Sequence, residues 1–147
     1  LGAGYQIIQS KIAVGSGGIF GKGYLNGSQS YLDYLPEKHT DFIFTLFSEE
    51  FGFLGSICLL LIYALIIYRI FVIGNNSKSN FAKLYCFSFA TAFFAYVTVN
   101  MSMVLGLLPI VGAPLPIISY GGSSMLSMMA GLGIVMSCKI YNQDITN

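Results

Sequence analysis

The sequence predicts an all-α fold: a polytopic membrane protein segment with three transmembrane helices and a large extracytoplasmic loop. Composition is the first ground. Of the 147 residues 55% are hydrophobic and 9% charged, with a mean hydropathy of +0.73, whereas soluble domains carry about a quarter charged residues. The spacing of the charges is the second. Residues 51–73 are interrupted only by Arg69, while 84–108 and 109–138 hold no charge at all. Each gap can supply the roughly 20 apolar residues that a helix needs to cross the hydrocarbon core. Three such gaps in so short a chain disfavour the alternative, buried helices of a soluble protein.

Taken in order, residues 1–41 differ from the rest in being rich in Gly, Ser and Gln. "YQIIQSKI" sets Tyr5, Ile8 and Ile12 at helical spacing with Gln6, Gln9 and Lys11 between them. That pattern suits a short amphipathic helix at a membrane interface. "GSGGIFGKGYLNG" reads as irregular backbone, so 1–41 is expected to be an extracytoplasmic loop with amphipathic or re-entrant segments. Residues 42–147 then form three spans of one larger integral membrane domain. With Leu1 first, the chain reads as a piece of a longer protein.

The first span is expected over about 42–73, with Thr40 as a permitted N-cap. Residues 51–73 alone cover roughly 35 Å at 1.5 Å per residue, so the turns from Asp41 to Glu50 project beyond the hydrocarbon. "GNNSKSN" is a polar turn. The second span covers about 81–108 and is stopped by Pro109. "PIVGAPLPIISYGG" carries prolines and glycines without a charge, and is expected to fold back against protein because irregular backbone cannot face lipid. The third span covers about 123–140.

Charge also bounds function. A net charge of +1 offers no basic field for nucleic acid. Arg69, Lys78 and Lys83 flank the first turn and Lys139 ends the third span. The positive-inside rule places those ends in the cytoplasm, with residues 1–41 and the proline loop outside. Lys11, Lys22 and Lys38 oppose this, but only Lys38 lies close to a span. Cys58, Cys86 and Cys138 fall inside the spans at no zinc-like spacing and serve as small apolar filler. His39 is the only histidine, so the chain cannot form a multi-histidine metal site.

Four features invite chemistry. Asp41, Thr45, Ser48, Glu49 and Gly52 share one helical face, a polar stripe that suggests a water-filled cavity. A solvated helix end is the alternative for Glu49 and Glu50. Asp41 lies in the first turn, where the helix dipole favours its charged form. An ionised carboxylate beside a cavity can accept a proton from a hydroxyl, although dipole stabilisation without chemistry would look the same. "SGGIFGKG" fails as a P-loop, since Ser16 stands where the first glycine belongs and Gly23 follows Lys22. A looser arrangement, glycine amides and Lys22 around a phosphate, stays open beside a flexible turn. Ser123, Ser127 and Gly131 recur every four residues, a spacing that lets helices approach closely. Asn100, inside the second span, needs a hydrogen-bond partner, as bundle glue or as cavity lining.

"QSKIAVGSGGIFGKG", "LPEKHTDFIF", "EEFGFLG" and "LPIVGAPLPIISYGGSS", in this order and over almost the whole chain, resemble the C-terminal part of the SEDS (shape, elongation, division, sporulation) membrane family. "GKGYLNGSQS" and "VGAPLPIISYGG" are more similar to its rod-shape members than to its division members. The resemblance implies about ten spans in the whole protein. This chain would hold the large outer loop after the seventh and then the last three. It implies a peptidoglycan glycosyltransferase that polymerises lipid II in the bacterial cytoplasmic membrane during cell elongation. The implied partners are a class B penicillin-binding protein and other wall-elongation proteins. The family's essential loop aspartate falls on Asp41 as general base. Substrate contacts are expected at Lys22, Glu37, Lys38, His39, Thr40, Asn100 and Ser119, and the cofactor stays open, a divalent cation included. A lipid II flippase or other transporter, with Asp41 and Asn100 lining a pathway, is the alternative from another class. A scaffold for wall-synthesis partners is the third.

Overall fold

The structure, a computed structural model, describes residues 3–23 and 41–144. Among them every regular element is helical: α1 is Ala3–Ser16, α2 is Ile43–Asn76, α3 is Asn80–Val104 and α4 is Gly122–Asp144. α2, α3 and α4 hold the stretches long and apolar enough to cross a membrane, as the charge gaps predict.

α2 and α3 form the main pair, joined by the turn around Ser77, whose amide donates to Gly74 O. Gly74 lets the helices close, since a Cβ there would press on Cys86 and Phe87. Phe42, Phe44, Tyr63, Phe93, Val97 and Leu115 build the core toward the proline loop. Ile70, Cys86, Ala90 and Val135 build a smaller one toward the Ser77 turn. α4 joins at Gly131, where the Phe89 ring occupies the space that a Cβ would take. Of the four-residue repeat, then, Gly131 packs as expected, whereas Ser123 and Ser127 are exposed. Leu61, Leu65, Phe94 and Leu126 also stay exposed. Such faces meet lipid or further helices, neither of which costs an apolar side chain anything.

α1 does not dock through its apolar stripe. Ser10, Ala13 and the following Gly17 are buried, and Ser10 Oγ donates to Val104 O at 2.8 Å. Ile8 and Ile12 point away from the bundle. Small residues let the helix lie close to α2 and α3, which leaves the apolar stripe for the interface.

Two expected helix ends are corrected. α2 begins at Ile43 with Phe42 in the cap position and no side-chain cap bond, so Thr40, which lies outside the described residues, is not the N-cap. α3 ends at Val104, four residues before the expected end, because Gly106 rather than Pro109 stops it. Gly106 adopts φ 70°, its amide donates to Met103 O at 3.0 Å, and the Leu107 amide donates to Ser102 O at 2.8 Å. Those two bonds are a Schellman cap, which needs the left-handed conformation that glycine adopts without a steric penalty.

Candidate functional site

The site is built where three segments meet: the lip of α2, the interior of α3 and the proline loop. Asp41 lies in the turn before α2, half-buried, with fully buried Phe42 after it as an anchor. Asn100, fully buried on α3, donates through Nδ2 to the Asp41 carbonyl at 2.9 Å and to the Ala113 carbonyl at 2.6 Å. One side-chain amide therefore ties the lip of α2 to the proline loop. Beside Ala113, Gly112 has φ 71° and brings its backbone against Asp41; a Cβ there would lie 3.5 Å from Asp41 Oδ2. Among the described residues Asn100 Oδ1 and Thr45 Oγ1 are buried without a hydrogen-bond partner. Such groups each cost about 1–3 kcal/mol when left unpaired, so each calls for a water, a ligand or a further segment as its partner.

Below the lip, α2 is interrupted. Gly52 takes φ 67° and ψ −162°, and the helix resumes after it. The break releases backbone groups on both sides, and residues 18–23 take them up. Lys22 N donates to Glu49 O at 3.0 Å and Gly23 N to Glu50 O at 3.1 Å; Phe53 N donates to Gly18 O at 2.9 Å and Leu54 N to Ile19 O at 3.2 Å. The two backbones approach so closely that a Cβ at Gly17, Gly21 or Gly52 would run into main-chain atoms of the other segment. Gly17 and Gly21 of "GSGGIFGKG" are thus required by a backbone crossing.

Lys22 completes this clasp. Its Nζ lies 2.7 Å from Glu49 Oε1, with the lysine side chain 30% exposed and the glutamate fully buried. This corrects two expectations. Thr45, Ser48, Glu49 and Gly52 do share a buried face, but Ser48, Glu49 and Gly52 pack against residues 17–23, and the cavity of about 300 Å³ that Ser48 and Gly52 line with Val14, Phe44, Leu60 and Met101 is mostly apolar. Glu49 is no solvated helix end, since a carboxylate without solvent needs its cation nearby. Asp41, outside the helix, does not continue that face.

The proline loop re-enters the bundle. Ala113, Leu115, Pro116 and Ser119 are buried. Tyr63, from the middle of α2, donates its hydroxyl to Pro116 O at 2.7 Å. Ser119 N donates back to Leu115 O at 3.1 Å. On the α4 side a cavity of about 300 Å³ is lined by Tyr96, Leu115, Ser119, Ser123, Ser127 and Met128, among others. Of the expected site residues, Asp41 and Asn100 are brought together. Lys22 is held at Glu49, and Ser119 faces the cavity toward α4. Glu37, Lys38, His39 and Thr40 lie outside the described residues. Gly52 and Tyr63 are the positions that sequence reasoning missed as structural determinants. A glycine inside an apolar helix was the available signal for the first; the second had none.

The family model described as "Cell cycle protein", which groups FtsW, RodA and SpoVE, matches residues 1–144. The chain belongs to the FtsW/RodA/SpoVE family. The SEDS resemblance is thereby borne out, as is its leaning toward rod-shape members. The chain is 53% identical over 146 residues to the peptidoglycan glycosyltransferase MrdB of Escherichia coli K12, covering 99% of this chain and 40% of that protein. It is 43% identical over 137 residues to the peptidoglycan glycosyltransferase RodA of Treponema pallidum, covering 93% and 32%. Among solved structures, the rod shape determining protein RodA of Thermus thermophilus superposes with a TM-score of 0.70 at 35% identity, covering 84% and 38%. A chain from a peptidoglycan synthase complex, in a study of how polymerisation and crosslinking are coordinated, superposes with a TM-score of 0.74 at 31% identity, covering 92% and 37%. The chain therefore spans about two fifths or less of the length of these FtsW/RodA/SpoVE relatives. Its three apolar helices fit a multi-pass membrane protein.

Proposed function

We propose that the full-length protein is a peptidoglycan glycosyltransferase that polymerises lipid II during cell elongation, with Asp41 as general base. The observation that carries this is the placement of Asp41: a carboxylate outside the first helical turn, its carbonyl held by Asn100 and its Oδ2 beside the Gly112 backbone. Support comes from the relatives named peptidoglycan glycosyltransferases. Asp41 takes the proton from the 4-hydroxyl of an acceptor GlcNAc, and that oxygen attacks C1 of a donor MurNAc. The bond from C1 to the pyrophosphate oxygen breaks, and undecaprenyl pyrophosphate leaves with the electron pair. Lys22, partly exposed and held at Glu49, contacts the pyrophosphate. Glu37, Lys38, His39 and Thr40 are close in sequence to the base and contact the sugars. Ser119 contacts substrate from the proline loop, and Asn100 acts by holding Asp41.

In this reading the lip of α2 and the proline loop face outside the cytoplasmic membrane, where lipid II presents its sugars. A class B penicillin-binding protein is the crosslinking partner, in keeping with the synthase complex that the chain resembles. The interrupted α2 also favours a second reading, because transporters coordinate ions and substrates at broken helices. Here the released carbonyls of Glu49 and Glu50 are occupied by the Lys22 and Gly23 amides, which leaves them engaged rather than open to an ion. Purified full-length protein with labelled lipid II in vesicles separates the two. Glycan polymer supports the enzyme, and transbilayer movement without polymer supports the transporter.

A further inference from the structure

Ile117 is the one residue other than glycine with a positive φ, 71°, among those described. A β-branched side chain is strained in that region, at a cost of order 1–3 kcal/mol that persists only where the surroundings hold it. Two contacts hold it here. The Ile117 side chain packs onto the core cluster that contains Tyr63, Phe93 and Leu115. The carbonyl just before it, Pro116 O, accepts the Tyr63 hydroxyl at 2.7 Å in a fully buried contact. Phe93 meets the Tyr63 ring edge-on, with centroids 5.8 Å apart, which fixes the ring. The turn is closed by Ser119 N donating to Leu115 O.

We infer that Tyr63 is a positioning residue for Asp41, acting through this strained turn; the inference rests on Asp41 being the general base. The proline loop has two attachments to the spans on the path that matters. Asn100 holds Ala113 at the Asp41 end, and Tyr63 holds Pro116 three residues on. Between them the chain runs through Pro114 and Leu115, too short and too stiff to absorb a shift. Release at Pro116 lets Ile117 relax toward negative φ, which redirects the backbone entering Leu115 and so moves Ala113 and Gly112 against Asp41 Oδ2. Misplacement of a reacting group by about 1 Å can cost on the order of 10²-fold in rate. Tyr63 itself lies in the middle of α2 and touches no reacting atom.

The test uses full-length protein and lipid II polymerisation. Tyr63→Phe removes only the hydroxyl; kcat is expected to fall about 10-fold or more with KM within about twofold, in protein that stays monodisperse. Ile117→Gly makes the turn available without strain, so Tyr63→Phe with Ile117→Gly should recover most of the rate lost by Tyr63→Phe alone. A normal kcat for Tyr63→Phe overturns the inference, and so does a double variant no faster than Tyr63→Phe. Asp41→Asn is measured beside them. If Asp41→Asn is fully active the general-base reading fails, whereas an inactive Asp41→Asn with a normal Tyr63→Phe sinks only the latch. Amide exchange on the unmodified protein needs no variant to fold. The Ser119 amide, which donates to Leu115 O, should exchange as slowly as the middle of α3, and rapid exchange there overturns the latch directly.

Discussion

At Asp41 the carbonyl and the carboxylate have separate tasks. The carbonyl is consumed by Asn100, which sets where the residue stands, and the carboxylate is turned toward Gly112. Asp41→Asn keeps the volume and the carbonyl bond but cannot accept a proton at neutral pH. Since general-base assistance contributes about 10²–10⁴-fold, the full-length variant should polymerise lipid II slower by that range while remaining folded. Equal activity would remove Asp41 from the chemistry. Asn100→Ala tests the tether instead. It should lower stability by roughly 1–2 kcal/mol, in line with interhelical hydrogen bonds in membranes, and lower the rate with Asp41 intact. Thermal unfolding in detergent gives the first quantity and single-turnover polymerisation the second.

The unit that matters among the elements is the broken α2 with residues 17–23 laid across it. A helix break in a membrane protein is tolerated only where other groups satisfy the freed backbone, and here residues 18–23 do so. Gly52→Ala should therefore be severe. The new Cβ meets the Gly21 backbone and the φ of 67° is wrong for alanine, so a loss of more than about 2 kcal/mol is expected. Gly133→Ala is the comparison, because a Cβ there meets nothing within 4 Å; it should be neutral or stabilise by up to about 1 kcal/mol. Comparable melting temperatures for the two variants would mean that the crossing is loose. Lys22→Met leaves the buried Glu49 without this cation and should cost toward the lower end of about 3–5 kcal/mol, since Lys22 is partly exposed.

For the whole molecule, orientation is the claim on which the rest depends. Arg69, Lys78, Lys83 and Lys139 mark one side of the bundle, and the Asp41 lip, the clasp and the proline loop lie toward the other. In full-length protein freed of native cysteines, a cysteine at Ser77 should resist an impermeant thiol reagent in intact spheroplasts. One at Ser28 should react. The reverse pattern would place Asp41 on the cytoplasmic side, away from the polymer. Residues 1–147 alone should show no polymerase activity, because the relatives are two and a half times as long or more and further helices have to cover the exposed apolar faces.

Composition and the spacing of thirteen charges were enough to establish the helical class and the three spans, because burial in hydrocarbon is a property of each segment by itself. Motif order was enough to indicate the family and to single out Asp41. Helix ends were legible only to within a few residues, since Gly106 and Pro109 are both plausible stops and the choice depends on which carbonyls find partners. The clasp was not legible. Nothing local distinguishes a glycine that crosses another backbone from one in a flexible turn, and Glu49 and Glu50 look alike until one of them is packed against Lys22. The same holds for Asn100 and Tyr63, whose partners at Ala113 and Pro116 lie 13 and 53 residues away in the chain. Contacts of that kind are decided by how the segments pack together, which only the tertiary structure records.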